Sequence, residues 1–127
     1  MSTPEGLVLR QIMDWLAAEH ILAFRMPTGG ARVPGGFMRF GVKGMADILA
    51  FRTRGVDDQG TWCSFSQAYW IETKAAKGRQ SEYQKSFQAQ VEREGHRYGI
   101  CRSVEDVAAL LATHQGVDAC QRGEVGT

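Results

Sequence analysis

Two carboxylates and a lysine at the ends of apolar runs are the side chains of this sequence best suited to chemistry. Asp47 directly precedes the apolar run 48–51, Glu72 directly follows the apolar run 68–71, and Lys74 lies two residues further on. Both runs are typical of buried strands. If the two strands pair, both carboxylates converge on one divalent cation, and Lys74 points to the same face as Glu72. This arrangement suits metal-dependent hydrolysis of a phosphodiester.

Two further groups extend this set of oxygen ligands. The backbone carbonyl of Thr73 lies between Glu72 and Lys74 and could add a third oxygen, as Mg²⁺ prefers. Glu5, on the first predicted helix, is a candidate outer carboxylate or a ligand of a second metal. Lys74 could orient or deprotonate a water. The alternative is that the acids at 47 and 72 are solvated strand ends, and that Glu5 only complements a helix dipole.

Basic residues cluster on both sides of the predicted site, although the formal net charge of the chain is only +1. Nucleic-acid binding would therefore depend on local charge, which phosphate contacts require. The candidate DNA-binding residues are Arg25, Arg32, Arg39, Lys43, Lys77 and Arg79, with Lys85 close by. Arg25 precedes a glycine-rich segment and is the favoured phosphate contact. The alternative for each of these residues is a solvated loop charge.

Length and composition predict one globular domain over residues 1–115 and a flexible tail over 116–127. The three cysteines include no closely spaced pair, which argues against a disulfide framework or a zinc site and fits a reducing compartment. No segment is apolar over the roughly 20 residues that a membrane span needs, and no signal peptide is evident. We therefore expect a cytoplasmic protein with no membrane partner.

The elements predicted from hydrophobic pattern and capping residues alternate between helices and strands. They are a helix at 4–19, a strand at 21–24, a loop at 27–36, strands at 37–40 and from 48, a turn at 54–60, a strand at 65–73, a helix from Ser81 to 94, a strand at 98–102 and a helix after Ser103. The predicted fold class is α/β (α+β), with a mixed central sheet flanked by helices.

These motifs together resemble the VRR-NUC (virus-type replication-repair nuclease) branch of the PD-(D/E)XK nuclease superfamily. The resemblance spans about residues 3–114. Its motifs are Glu5, Gly44-Met45-Ala46-Asp47, Glu72-Thr73-Lys74, Ser81-Glu82-Tyr83-Gln84, and the closing segments at 95–100 and 103–106. Ala46 stands where the superfamily pattern has proline, but the acidic ligand that follows it is present.

The resemblance implies a restriction-endonuclease-like αβββαβ core and a cofactor that is Mg²⁺ or Mn²⁺. In that family pattern Asp47, Glu72 and the Thr73 carbonyl bind metal, and Lys74 assists the nucleophilic water. Gln84 lines the site, and Glu5 is an accessory catalytic carboxylate that also binds metal. The alternative for Gln84 is a capping partner for the start of its own helix.

The resemblance also implies a structure-specific DNA endonuclease that acts on branched DNA in recombination or repair, most specifically a Holliday junction resolvase. Resolution requires two active sites on opposed strands, so we expect a symmetric homodimer in a bacterial or phage-infected cell. The alternatives are an endonuclease for flaps, nicks or duplex DNA, a restriction- or toxin-like nuclease, and a DNA-binding module without catalysis.

Overall fold

The computed structural model describes residues 3–26, 29–40 and 42–113. Within these residues the chain forms three helices and six strands, which confirms the mixed α and β class. They are α1 (Pro4–Ala18), β1 (Leu22–Arg25), β2 (Gly29–Val33), β3 (Gly36–Phe40), β4 (Ile48–Asp58), β5 (Thr61–Thr73), α2 (Glu82–Arg93), β6 (Arg97–Cys101) and α3 (Val104–Leu111). The tail predicted at 116–127, and the domain boundary before it, lie outside the described residues.

Four strands form the main sheet in the spatial order β1-β4-β5-β6. The pairs β1–β4 and β4–β5 are antiparallel, whereas β5–β6 is parallel, so the predicted mixed sheet is confirmed. The parallel pair is connected through α2, as a crossover between parallel strands requires. Strands β2 and β3, which lie between β1 and β4 along the chain, form a separate two-stranded sheet.

Each helix begins at a residue whose hydroxyl accepts a backbone amide, as the sequence predicts. Ser81 and Gln84 form a complete capping box at the start of α2, because the Ser81 hydroxyl accepts from the Gln84 amide at 3.2 Å and Gln84 Oε1 accepts from the Ser81 amide at 2.8 Å. Thr3 and Ser103 cap α1 and α3 in the same way. The caps therefore fix where the helices start relative to the sheet.

The two faces of the main sheet carry different apolar clusters, because successive strand residues point to opposite sides. On one face α1 and α3 cover Tyr69 and Ile71, and on the other α2 covers Trp70. The larger cluster consists of Ile12, Leu16, Ile48, Ala50, Tyr69, Ile71, Cys101, Val107 and Leu111. The smaller cluster consists of Ala46, Val91 and Tyr98 with the partly buried Trp70, Phe87 and Ile100. The sheet is therefore covered on both faces.

The cysteine at 101 is a core residue. It is 1 % exposed, and burial raises the pKa of its thiol to about 12. Cys101 is therefore an uncharged apolar side chain at neutral pH.

The loop predicted for residues 27–36 is wrong over its larger part, because the chain forms the hairpin of β2 and β3 there. Val33 pairs with Gly36, and Pro34 and Gly35 make the turn between them. Gly35 has a φ of +88°, a conformation that glycine adopts without strain. The high glycine content suggested irregular structure, whereas its role here is to let two short strands reverse direction.

The turn predicted over residues 54–60 is also wrong in its extent. Strand β4 continues to Asp58, β5 begins at Thr61, and only Gln59 and Gly60 form the turn. Both turn residues have positive φ, 53° and 86°, as a two-residue hairpin turn of type I′ requires. Residues 52–58 of β4 and 61–67 of β5 pair only with each other among the described strands, so polar residues are tolerated there.

Candidate metal centre

The register between β4 and β5 brings the two predicted acids together. Ile48 pairs with Ile71 in this antiparallel ladder, and continuing the register by one residue places Asp47 opposite Glu72. Residues directly opposite in an antiparallel pair lie on the same face with adjacent side chains. Glu5, at the start of α1, joins them, and one carboxylate oxygen from each of the three acids lies within 4.8 Å of the others. This acidic trio could hold a metal ion.

Asp47 is held in place by Thr73, the residue after Glu72 on β5. Both the backbone amide and the hydroxyl of Thr73 donate to Asp47 Oδ2, each at 2.8 Å. The backbone carbonyl of Asp47 in turn accepts from the Met26 amide at 2.7 Å, which ties it to the end of β1. Two hydrogen bonds therefore orient the carboxylate, and a third fixes the backbone that carries it.

Glu72 is the most deeply buried of the three acids, at 2 % exposure. Its Oε2 accepts from Gln84 Nε2 at 2.9 Å and lies 3.7 Å from Lys74 Nζ. Its Oε1 is buried and has no hydrogen-bond partner among the described residues. Buried polar atoms nearly always have a partner, and an unmatched one calls for a specific reason such as a bound ion. The unpartnered oxygen therefore calls for a cation, or for a proton that Glu72 shares with Asp47.

The environment of Glu72 raises its pKa from 4.5 to about 8. Burial is the largest cause and the negative charge of Asp47 is the next, while Lys74 lowers the pKa by less. A buried carboxyl beside a second carboxylate holds its proton because like charges repel in a poorly solvated site. A divalent cation between the acids would reverse this preference and favour the ionised form.

Lys74 lies in the site where the sequence places it. Its side chain is 12 % exposed, and its ammonium group is on the same side of β5 as the Glu72 carboxylate. The ammonium compensates part of the negative charge of the trio. The position next to the acids is also where a group that orients a water would have to lie.

Gln84 fulfils both of the roles considered for it. Its Oε1 accepts from the Ser81 amide in the capping box, and its Nε2 donates to Glu72 Oε2. The amide therefore links the start of α2 to the buried acid. Because the oxygen of the amide accepts in the cap, its nitrogen is the end that faces Glu72 and donates to it.

The sequence reasoning missed the side chain of Thr73. The sequence predicts only its backbone carbonyl as a ligand, and that role stays a prediction. The hydroxyl of Thr73 instead supports Asp47 from the neighbouring strand. No pattern in the sequence could have indicated this contact, because it depends on the register between β4 and β5.

Two of the predicted DNA-binding residues flank the segment that carries Asp47. Arg25 is the last residue of β1 and pairs with Ile48, the residue after Asp47, and its side chain is exposed. Lys43 is also exposed, and its ammonium lies 4.0 Å from the centre of the Tyr83 ring. Because paired residues share a face, the Arg25 side chain is on the face of Ile48, opposite that of Asp47 and Glu72. Lys43 is held against the start of α2.

The other predicted DNA-binding residues lie on two separate segments. Arg32 and Arg39 are on opposite strands of the β2–β3 hairpin, which pairs with no strand of the main sheet in the described chain. Lys77 and Arg79 are exposed on the connection between β5 and α2, next to the strand end that carries Lys74. Lys85 pairs with Glu82 on the surface of α2, at 3.1 Å. DNA contacts by all of these residues stay predictions.

No family model, no curated protein and no solved structure matches this chain. The argument for its function therefore depends on the geometry of the described residues. Among the helices of those residues, none combines the length and the apolar character needed to cross a membrane.

Proposed function

We propose that this protein is a divalent-metal-dependent nuclease of the VRR-NUC type that hydrolyses phosphodiester bonds in branched DNA. The observation that carries the proposal is the buried, unpartnered Oε1 of Glu72 inside a trio of carboxylates. Three acids this close, one of them almost without solvent, are unfavourable unless a cation or protons compensate their charge. Oxygen-only ligands at this spacing suit Mg²⁺ or Mn²⁺.

The residues of the trio and their neighbours would have different roles in the reaction. Asp47 and Glu72 would hold the cation, and Glu5 would complete the oxygen set from α1. Such a cation supplies charge neutralisation at the phosphate and lowers the pKa of water when it is bound. Thr73 and Gln84 orient the two strand carboxylates, each through hydrogen bonds of 2.8–2.9 Å. The Lys74 ammonium would orient the attacking water and contact the scissile phosphate.

The order of elements supports the restriction-endonuclease-like core within this proposal. Without the β2–β3 hairpin and α3, the chain runs α1, β1, β4, β5, α2 and β6, which is the αβββαβ order of the expected core. The strands also neighbour one another in that order in the sheet. The acids lie at the start of the second core strand and the end of the third, as the family pattern requires.

The favoured reaction is paired nicking of a four-way junction by a symmetric homodimer. A single 127-residue chain offers one acidic trio among its described residues, so two strands are cut together only if two copies act. The basic residues on the hairpin and beside α2 would contact the arms of the junction. A DNA-binding module without catalysis is less favoured, because both acids and Lys74 are present and converge.

The test is cleavage of labelled four-way junctions, flaps, nicked duplex and linear duplex by the purified protein, with and without Mg²⁺ or Mn²⁺. We expect symmetric paired nicks near the crossover of the junction, metal dependence, and loss of cleavage in Lys74→Ala with the fold retained. Sedimentation of the same preparation should give a dimer. Preference for flaps or nicks would assign the alternative endonuclease, and DNA binding without cleavage by the wild type would contradict the nuclease.

A further inference from the structure

The connection between β5 and α2, residues 74–80, turns back over the side chain of Lys74. The Gly78 amide donates to the Ala75 carbonyl at 2.9 Å, which closes a turn directly after Lys74. A Cβ placed at Gly78 would lie 3.1 Å from Cδ and 3.3 Å from Cβ of Lys74, so the glycine lies against the stem of that side chain. The Lys74 side chain is 12 % exposed, and its ammonium lies 3.7 Å from Glu72. The turn therefore covers the lysine of the acidic site.

Strand β6 fixes this connection at both of its ends. At the start, the Lys74 amide donates to the Cys101 carbonyl at 3.1 Å, which continues the parallel ladder by one bond. At the end, Gln80 Nε2 donates to the Tyr98 hydroxyl at 3.2 Å and to Gln88 Oε1 at 2.8 Å. Tyr98 and Cys101 are both buried, so the connection is tied to the core of the sheet.

Arg102, the residue after β6, holds the turn itself. Its Nη1 donates to the carbonyl of Ala75 and, at 3.4 Å, to that of Ala76. The Arg102 backbone amide donates to Asp106 Oδ2 at 2.9 Å in the first turn of α3, which fixes the residue that carries the guanidinium. A guanidinium presents its donors in a rigid plane, and here they meet two consecutive carbonyls directly after Lys74. Arg102 therefore determines where the turn lies.

We propose that Arg102 is a positioning residue for Lys74. Its guanidinium holds the turn after β5, the turn places Gly78 against the Lys74 stem, and the stem keeps the ammonium beside Glu72. A lysine stem has four rotatable carbons, so an ammonium that must stay at one place needs such support. The inference rests on the proposed nuclease function for what the ammonium does there. It adds a residue outside the acidic trio on which the rate of cleavage depends.

The experiment compares Arg102→Ala, Arg102→Lys and Gly78→Ala with the wild type. Arg93→Ala, in the exposed last turn of α2, is the matched control. Arg102→Lys keeps the charge but loses the planar donors, so it separates support of the turn from attraction of a DNA phosphate. Gly78→Ala adds a methyl group against Lys74, and the φ of Gly78 is not positive, so the backbone accepts alanine. The atom that must yield is Cδ of a flexible side chain, so the ammonium moves with little loss of stability.

Three measurements are made on each protein. The first is KM and kcat for a labelled four-way junction with Mg²⁺, over a series of salt concentrations. The second is the nuclear Overhauser effect (NOE) between the α protons of Gly78 and the δ protons of Lys74, recorded without DNA or metal. The third is the melting temperature with and without Mg²⁺.

We expect both Arg102 variants to lower kcat by about 10–100-fold, as the loss of support for an active-site group does. Gly78→Ala should also lower kcat. KM and its salt dependence should stay as in the wild type, because no phosphate contact is lost. Combining Arg102→Ala with Lys74→Ala should lower kcat no further than Lys74→Ala alone, since the effect passes through Lys74. The NOE should be lost in Arg102→Ala, while Mg²⁺ stabilises every variant as it does the wild type.

The outcomes separate this inference from the proposed function. If the wild type cleaves and Arg102→Ala has the kcat of Arg93→Ala, the inference is wrong and the nuclease stands. The same holds if Arg102→Ala raises only KM and Arg102→Lys restores it, because Arg102 then contacts DNA itself. If the wild type does not cleave but Arg102→Ala loses the NOE, the positioning of Lys74 stands and the nuclease is wrong. An NOE retained in Arg102→Ala overturns the inference in either case. If Arg102→Ala does not fold, an unchanged kcat in Gly78→Ala overturns it.

Discussion

Replacing the buried acid of the trio should make the metal-free protein more stable. In Glu72→Gln the carboxyl becomes an uncharged amide of nearly the same shape, and its oxygen can still accept from Gln84. The carboxyl has a pKa of about 8 in the folded protein and an ordinary value of 4.5. Each pKa unit corresponds to about 1.4 kcal/mol, so at pH 7 the folded wild type carries a penalty of about 3 kcal/mol. We expect the variant to gain about 1–3 kcal/mol, since burial of the new amide offsets part of it.

The sign of the pH dependence follows from the raised pKa. Below pH 4.5 the carboxyl is protonated in both the folded and the unfolded state, so its contribution to wild-type stability is fully present. As pH rises toward 8, the unfolded state loses its proton while the folded state retains it, and this contribution is lost. The advantage of Glu72→Gln should therefore be small near pH 4.5, grow steadily, and level off above pH 8.

The assay is urea unfolding of both proteins in the presence of a chelator, at several pH values between 4.5 and 8.5. Glu82→Gln is the matched control, because Glu82 is also a glutamate but lies in the first turn of α2 with its side chain 87 % exposed. That change should alter stability by only a few tenths of a kcal/mol, through the helix dipole. A Glu72→Gln variant that is less stable than the wild type, by an amount independent of pH, would refute the reasoning.

Four further outcomes follow from the same geometry. Lys74→Ala should lower kcat by about 10²–10⁴-fold, while Mg²⁺ still raises the melting temperature. If the variant loses both catalysis and the stabilisation by Mg²⁺, Lys74 is needed for the site to form. Thr73→Val should weaken metal binding about 10–100-fold by removing one donor to Asp47, measured by calorimetry against the exposed Thr53→Val as control; equal affinities would contradict the supporting role. Metal binding at pH 7 should release close to one proton, because Glu72 is then mostly protonated; titrations in buffers of different ionisation enthalpy measure this release, which should fall above pH 8. Truncation of the fully buried Leu111 in α3 to Ala should cost about 2–5 kcal/mol in urea unfolding, and a cost below 1 kcal/mol would exclude it from the core.

Short-range signals predicted the helices and the central strands well. Ser81 and Ser103 each begin a helix where the capping pattern indicates, and Gly95, with a φ of +86°, follows the end of α2. These signals depend on residues within one turn of each other, so they can be read without the fold. The same holds for the apolar runs 48–51 and 68–71 next to the acids, whose length and apolar character are typical of buried strands.

Features that depend on contacts between residues distant in the sequence could not be predicted in this way. The segment rich in glycine from residue 29 looked irregular, yet it forms β2 and β3, because strand pairing depends on a partner strand as well as on composition. Likewise residues 54–58 extend β4, because they pair with residues 61–65 of β5. The contact from Thr73 to Asp47 depends on the register between β4 and β5, which the sequence does not encode locally.

Direct titration with Mn²⁺ tests the central claim that the acidic trio is a metal site. Electron paramagnetic resonance follows the loss of the free Mn²⁺ signal as protein is added, and it requires neither DNA nor catalysis. The account predicts saturable binding by the wild type at pH 8, lost in Asp47→Asn and in Glu72→Gln and retained in Glu82→Gln. Wild-type protein that leaves the free Mn²⁺ signal unchanged, or variants that bind as the wild type does, would contradict it.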